Sequence, residues 1–402
     1  MKKQLYIIIL ISFSAHAQQL ETYVNEALQN NLQVQSAGAA VEVSNEAINE
    51  AGNLGNTQFG AAYQVQPVET RVGPQRARFS AMQMFPWFGT LKAEKNLAKG
   101  QADLTAFQLE NAKRMIRLQV QKSYYQLYKT QAIIDLQEKS LKKLRQLEEI
   151  ALTRVKAGTA KLTDVLQIQL KENELQTKIS NQKRELLTRK KAFNRLLNIN
   201  ENAEVVVTLS PEDINTKTLD TTKINTLPVI AELKKKQSLT TTEIALANKK
   251  NAPQLGIGVD YILVDERSDM QLTDNGKDAI MPMVSLQIPL FNKRFTAEAK
   301  KVKLKKKVYQ YQEENARNEI RNAFEKAQSD FENAKDEVQT LEKNIASANK
   351  ILELQITAYQ ADKETFQEVI DTELLLINLM EQKISADVNA LSAQAAMAFY
   401  TD

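Results

Sequence analysis

The chain has no cysteine, a single histidine, and only 11 glycines and 8 prolines in 402 residues. Without cysteine there is no disulfide, no thiolate nucleophile and no thiol to carry a lipid. The histidine, His16, lies in a leading segment with the layout of an export signal. Lys2 and Lys3 are followed by the apolar stretch Leu5 to Phe13 and by the small-x-small site Ala15-His16-Ala17. That stretch falls short of the about 20 residues a helical span needs. Residues 1–17 are therefore expected to be a cleaved signal peptide. The remaining chain would have neither imidazole nor thiol, the usual metal ligands and the commonest base and strongest nucleophile. No local motif supports carboxylate, lysine or serine chemistry, so no enzyme and no cofactor are expected. No histidine, cysteine or clustered methionine points to a metal held by the protein itself.

Charge of one sign is also missing. Without Lys2 and Lys3 the chain carries 51 basic and 49 acidic residues, so it lacks the basic footprint of a nucleic-acid binder. No other apolar run is long enough for a transmembrane helix. Any membrane span must then be made of strands. Scarce glycine and proline favour long uninterrupted helices.

What is present is a duplication. Phe85-Pro86-Trp87-Phe88 returns as Ile288-Pro289-Leu290-Phe291, and Gln58-Phe59-Gly60 onward to Tyr63 as Gly256-Ile257-Gly258 onward to Tyr261. The segment from Ala157-Gly158 to Asp164-Val165-Leu166 matches that from Ala361-Asp362 to Glu368-Val369-Ile370. The offset drifts only from 198 to 204. A first repeat over 18–199, a linker over 200–223 and a second repeat over 224–402 follow from this. Each repeat predicts a shorter helix, two strands, a very long helix, a tight turn and a return helix. The helices are expected near 20–53, 88–157 and 160–199, then near 224–252, 294–361 and 364–399. The linker, with Val205-Val206-Val207, predicts one short strand.

Phe324, Phe331, Val338, Ile345, Leu352 and Tyr359 follow heptad spacing, with Ala327, Ala334, Leu341 and Ala348 three positions on. Val120, Leu127, Ile134 and Leu141 repeat the seam in the first half, and Ile370, Ile377, Ile384 and Leu391 in the last helix. Such seams establish helix packing and nothing more. Length is more telling. The segment 88–157 would be ~105 Å long. The predicted short helices sum in pairs to nearly the same residue number, as a wall of constant height requires.

The predicted strands, 56–66, 76–86, 254–264 and 279–289, are each long enough to cross a bilayer at a tilt. Phe59, Ala61, Tyr63 and Val65 alternate with polar or small residues, as do Leu255, Ile257, Val259, Tyr261 and Leu263. One apolar face and one polar face suit a strand between lipid and water, although a soluble hairpin with one buried face fits the strands alone. The returning strands alternate less cleanly. Four strands cannot close a membrane barrel, which needs about eight, so several chains would have to share one.

These residues resemble the TolC family of outer-membrane efflux proteins, from about Leu20 to Phe399. The most specific pieces are Phe85-Pro86-Trp87-Phe88-Gly89, its echo Ile288-Pro289-Leu290-Phe291, and the Ala157-Gly158 to Asp164-Val165-Leu166 turn with its counterpart. The resemblance implies a mainly α fold with a small β part. Duplicated helical hairpins would form a trimeric α-barrel tunnel, with four strands per chain in a shared 12-stranded transmembrane β-barrel. It further implies a passive exit duct in the outer membrane of a Gram-negative bacterium, docked to a periplasmic adaptor and an inner-membrane pump. By position, the family's periplasmic gate falls on Asp164, Tyr359, Glu368 and Asp371, and the adaptor-contact turns on Ala157, Gly158, Asp362 and Lys363. Glu364 stands where better-known members carry a basic residue, so the ion-pair version of the gate lock lacks its partner. Pro86, Trp87, Phe88, Pro289 and Phe291 would sit at the barrel rim against outer-membrane lipid. The rival readings are a periplasmic adaptor, an exported coiled-coil scaffold and an exported hydrolase. The adaptor predicts one hairpin and more strand, the scaffold leaves the strands unexplained, and the hydrolase needs an acid/base pair.

Overall fold

The computed structural model describes residues 19–208, 221–290, 293–361 and 363–401. The expected signal peptide, linker residues 209–220, Phe291 and Asp362 lie outside the described residues. Eleven elements follow in chain order. They are α1 (19–30), α2 (Leu32–Glu50), β1 (Gln58–Val68), β2 (Gln75–Phe85), α3 (Thr90–Lys156), α4 (Leu162–Leu197), α5 (Pro228–Lys250), β3 (Gln254–Val264), β4 (Ala279–Gln287), α6 (Arg294–Gln360) and α7 (Phe366–Thr401). A 3-10 turn at Thr221–Thr226 precedes α5. The fold is thus mainly helical with one small sheet.

The long helices α3 and α6 each have 67 residues, about 100 Å of helix, and α4 and α7 each have 36. The length match is incomplete: α4 and α5 carry 36 and 23 residues against the 67 of α3. The reason is local, since Pro228 starts α5 and the 3-10 turn takes over before it. No described helix is long and apolar enough to cross a membrane.

The chain divides into two compact units. The first holds the described residues of Met1–Ala37, Glu110–Leu227 and Arg317–Asp402. Its core is built from the heptad seams. Leu144, Leu147, Ala151, Val165, Ile168, Leu175 and Ile179 of the first hairpin share one cluster with Ala348, Leu352, Tyr359, Phe366, Val369, Ile370 and Leu376 of the second. Alanine recurs in a second cluster, where Ala327, Ala334, Ala390 and Ala393 pack beside Phe324 and Phe331.

Two expectations fail in this unit. The predicted first helix is interrupted at Asn31, whose carboxamide oxygen accepts the amides of Gln33 and Val34 at 2.9 and 3.4 Å while its nitrogen donates to the Leu196 carbonyl at 2.8 Å. An asparagine that caps the next helix and ties it to α4 replaces one continuous helix. The described linker residues also form no strand: 203–208 are irregular. Here tyrosine hydroxyls do the work of a partner strand. The amides of Val206 and Thr208 donate to the Tyr23 and Tyr124 hydroxyls at 3.2 and 2.9 Å.

The second unit holds Gly38–Leu109 and Pro228–Ala316. Its sheet is antiparallel, in the order β1-β2-β3-β4. Directly opposed residues share a face, so the register reads out both faces. Rows such as Phe59-Ala81-Val259-Pro282 and Ala61-Phe79-Tyr261-Ile280 lie on one side. Rows such as Gln58-Met82-Gly258-Met283 and Gly60-Ser80-Asp260-Met281 lie on the other. The two hairpin loops are tied together by an Arg71–Asp274 ion pair and by the Gly276 amide, which donates to the Val72 carbonyl at 2.8 Å.

Candidate functional site

Each hairpin turn is defined by its capping. In the first, α3 ends in Lys156, and Gly158 takes φ 75°, a left-handed conformation that suits glycine. The Thr159 amide reaches back to the Arg154 carbonyl at 2.9 Å and the Gly158 amide to that of Val155 at 3.0 Å. That pattern is a Schellman-type stop. The second turn closes alike, with the Lys363 amide donating to the Ala358 carbonyl at 2.9 Å. Ala157, Gly158 and Lys363 are exposed at these turns.

Beside the turns, Arg154 of α3 meets Tyr359 of α6. Its guanidinium lies 4.5 Å from the tyrosine ring centroid and also donates to the Tyr359 carbonyl. Tyr359 is 7 % exposed and packs on Phe366, ring centroids 5.0 Å apart. Its buried hydroxyl makes no hydrogen bond to the described residues. Burial chiefly holds this phenol above its ordinary pKa, Arg154 opposing and Asp164 adding to the shift. So the structure brings Asp164 and Tyr359 into one neighbourhood. The cation at this contact is Arg154, which sequence reasoning did not single out. Its signal was its place in the last turn of a helix, where cations are favoured.

Glu368 and Asp371 are both exposed but are not joined in one site. Glu368 turns back to accept from the Thr365 amide and hydroxyl, at 3.2 and 3.1 Å, as in the capping box of a helix N-terminus. It also shares a hydrogen bond with Glu364, which raises the Glu364 carboxyl above its usual range. Asp371 accepts from Gln367 at 2.8 Å. A further buried acid, Glu373, is 2 % exposed and lies 3.7 Å from Lys143. Burial raises its pKa and Lys143 opposes the shift. It borders a cavity of ≈ 550 Å³ that Asp135 and Lys139 also line. Among the described residues, no group of three or more His, Cys, Asp or Glu is placed to hold a metal ion.

In the sheet, one face is apolar and open: Phe59, Val65 and Val284 are 82, 88 and 76 % exposed, and Tyr63, Ile257, Ile280 and Leu286 join them. The other face carries Gly60, Ser80, Asp260 and Ser285. It also carries Met82, Met84, Met281 and Met283. This corrects the sequence reading, in which the methionines did not cluster. They stand two apart on two strands, and only pairing through β3 unites them. They also explain why the returning strands alternated poorly. At the sheet's exit Trp87 and Phe88 are 42 and 82 % exposed and meet edge to face at 5.7 Å. Pro86 directly follows β2 and Pro289 lies two residues beyond β4, where a missing amide ends pairing.

Residues 23–198 match the model of the outer membrane efflux protein family. The match spans a little under half of the chain. The fold itself is matched along nearly the whole chain by solved structures. It is similar to CusC (TM-score 0.81, 16 % identity, covering 96 % of this chain and 92 % of that one). It is also similar to the outer membrane protein VceC of Vibrio cholerae (0.76, 16 %, 96 % and 96 %). The open state of the Neisseria gonorrhoeae MtrE outer membrane channel matches at 0.76, with 14 % identity, over 95 % of this chain and 88 % of that one. No curated protein matches the chain in sequence.

Proposed function

We propose that the protein is the passive exit duct of a tripartite efflux system in a Gram-negative outer membrane. The observation that carries this is the sheet. An antiparallel sheet with one exposed apolar face suits lipid, yet its outer strands β1 and β4 have no further partner among the described residues. Open strand edges are not tolerated in a bilayer. Three chains would close a 12-stranded barrel, with their helices forming the periplasmic tunnel. Residues 1–17 would be the export signal, and 18–199 and 224–402 the two repeats joined by 200–223. Trp87 and Phe88, with Pro86, Pro289 and Phe291, would face the lipid boundary, where aromatic residues concentrate.

The turns Ala157-Gly158 and Asp362-Lys363 would be grasped by a periplasmic adaptor. Asp164, Tyr359, Glu368 and Asp371 would line the gate, with Arg154 holding Tyr359. An inner-membrane pump supplies the energy, so the duct needs neither catalytic group nor cofactor. Negative-stain electron microscopy of the protein extracted in detergent tests the reading. Hollow three-fold rods with a helical section of about 100 Å are expected. A soluble monomer would overturn it in favour of an exported coiled-coil scaffold.

A further inference from the structure

The water side of a membrane strand is ordinarily polar. Here four of its positions hold methionine. The rows fall next to one another: Met84-Gly256-Ser285, then Met82-Gly258-Met283, then Ser80-Asp260-Met281. Glycine at the two central positions is what lets the flanking side chains lean together over β3. A Cβ on Gly256 would stand 2.2 Å from the Ser285 hydroxyl oxygen and 2.7 Å from the Met84 sulfur. Around that hydroxyl the Met82 and Met84 sulfurs lie at 3.9 and 4.0 Å. Met283 faces Met82 across Gly258 and accepts a hydrogen bond from Arg78 at 3.6 Å. Arg78 is itself paired with the buried Asp260, so no net positive charge faces the sulfurs.

We propose that this patch is a transfer site for a soft monovalent cation, Cu(I) by preference, passing along the inner wall of the barrel. Neutral thioethers are soft ligands that select Cu(I) over hard cations. Two of them, Met82 and Met84, close on one hydroxyl beside a glycine floor, and Met283 stands in the same row as Met82. Thioethers also bring no charge, so the ion is held without being trapped, as a conducting path requires. An apolar cargo would be served better by rings. Every aromatic side chain of the sheet, Phe59, Tyr63, Phe79, Phe85 and Tyr261, lies on the opposite face.

The proposal rests on reading this face as the water side of a barrel, and a binding assay separates the two. Full-length protein in detergent is titrated anaerobically with Cu(I) against the chelator bicinchoninate. The wild type is expected to take copper from the chelator, with sulfur neighbours in X-ray absorption. The combined Met82→Leu, Met84→Leu, Met281→Leu and Met283→Leu variant keeps side-chain volume and removes every sulfur. It is expected to form the same rods and bind at least ten-fold more weakly. Equal binding by this variant, or no copper taken by the wild type, overturns the site. Rods that take no copper leave the duct standing and sink only the site; copper-binding protein that forms no rods does the reverse.

Discussion

Replacing Arg154 with methionine keeps most of the apolar stem and removes the charge that joins the two hairpins. A half-buried guanidinium over a tyrosine ring contributes about 1–2 kcal/mol, and a hydrogen bond from a charged donor to a carbonyl about 1.5–3 kcal/mol. Ordering the long side chain offsets up to about 2 kcal/mol, which leaves a net restraint of about 2 kcal/mol. If this contact holds the proposed gate shut, its loss shifts the open-to-closed ratio by roughly 30-fold. Arg154→Lys retains a cation without the planar fork and should fall between. Tyr359→Phe keeps the ring and the carbonyl and deletes a hydroxyl that bonds to none of the described residues. It should behave as wild type. The assay is single-channel conductance in planar bilayers, scoring the open fraction of each variant. Wild-type gating in Arg154→Met would refute the restraint. Opening by Tyr359→Phe as strong as that of Arg154→Met would place the lock in the hydroxyl instead.

Two further outcomes test the core and the sheet. Because burial raises the Glu373 pKa in the folded state, its stability contribution is intact below the ordinary glutamate pKa. It is lost as pH rises through the raised value. Glu373→Gln should therefore stabilise the helices at pH 7 by on the order of 1 kcal/mol, read as a higher melting temperature, and match wild type near pH 4. A pH-independent difference, or a destabilised variant at pH 7, would mean that Lys143 fully compensates the charge. Gly258→Ala would place a Cβ 2.8 Å from the Ala81 backbone carbonyl oxygen. It should reduce the membrane-inserted fraction on fractionation, whereas Gly55→Ala, with open space around it, should not.

Long helices were legible because their signals are redundant: few glycines or prolines interrupt them and seven-residue seams run through α3 and α6. Strands β1 and β3 were legible by alternation alone. Single polar residues acting across the chain were harder to read. Nothing near Asn31 in sequence announces that it reaches the Leu196 carbonyl. Valines 205–207 have strand propensity, but Val206 and Thr208 pair with tyrosine hydroxyls instead. At the second turn Thr365-Phe366-Gln367-Glu368 is a readable capping box, and Glu368 was nonetheless assigned by position to the gate. The methionine patch depends on register. Met82 and Met84 come close to Met283 and Ser285 only because β3 places two glycines between them.

The pairing of β2 with β3 also orders events in time. Strand β2 ends at Phe85, and its partner begins only at Gln254, after three helices. As the chain emerges from its N-terminus, the first hairpin exists as a two-stranded ribbon with both edges unpaired and an apolar face carrying Phe59, Tyr63 and Val65. Two strands alone are marginally stable in water, and such an edge is a template for pairing with the wrong chain. Every nascent molecule therefore carries its oldest strands uncovered until its youngest arrive. The later the second half is delivered, the longer that first hairpin stays open to the wrong partner.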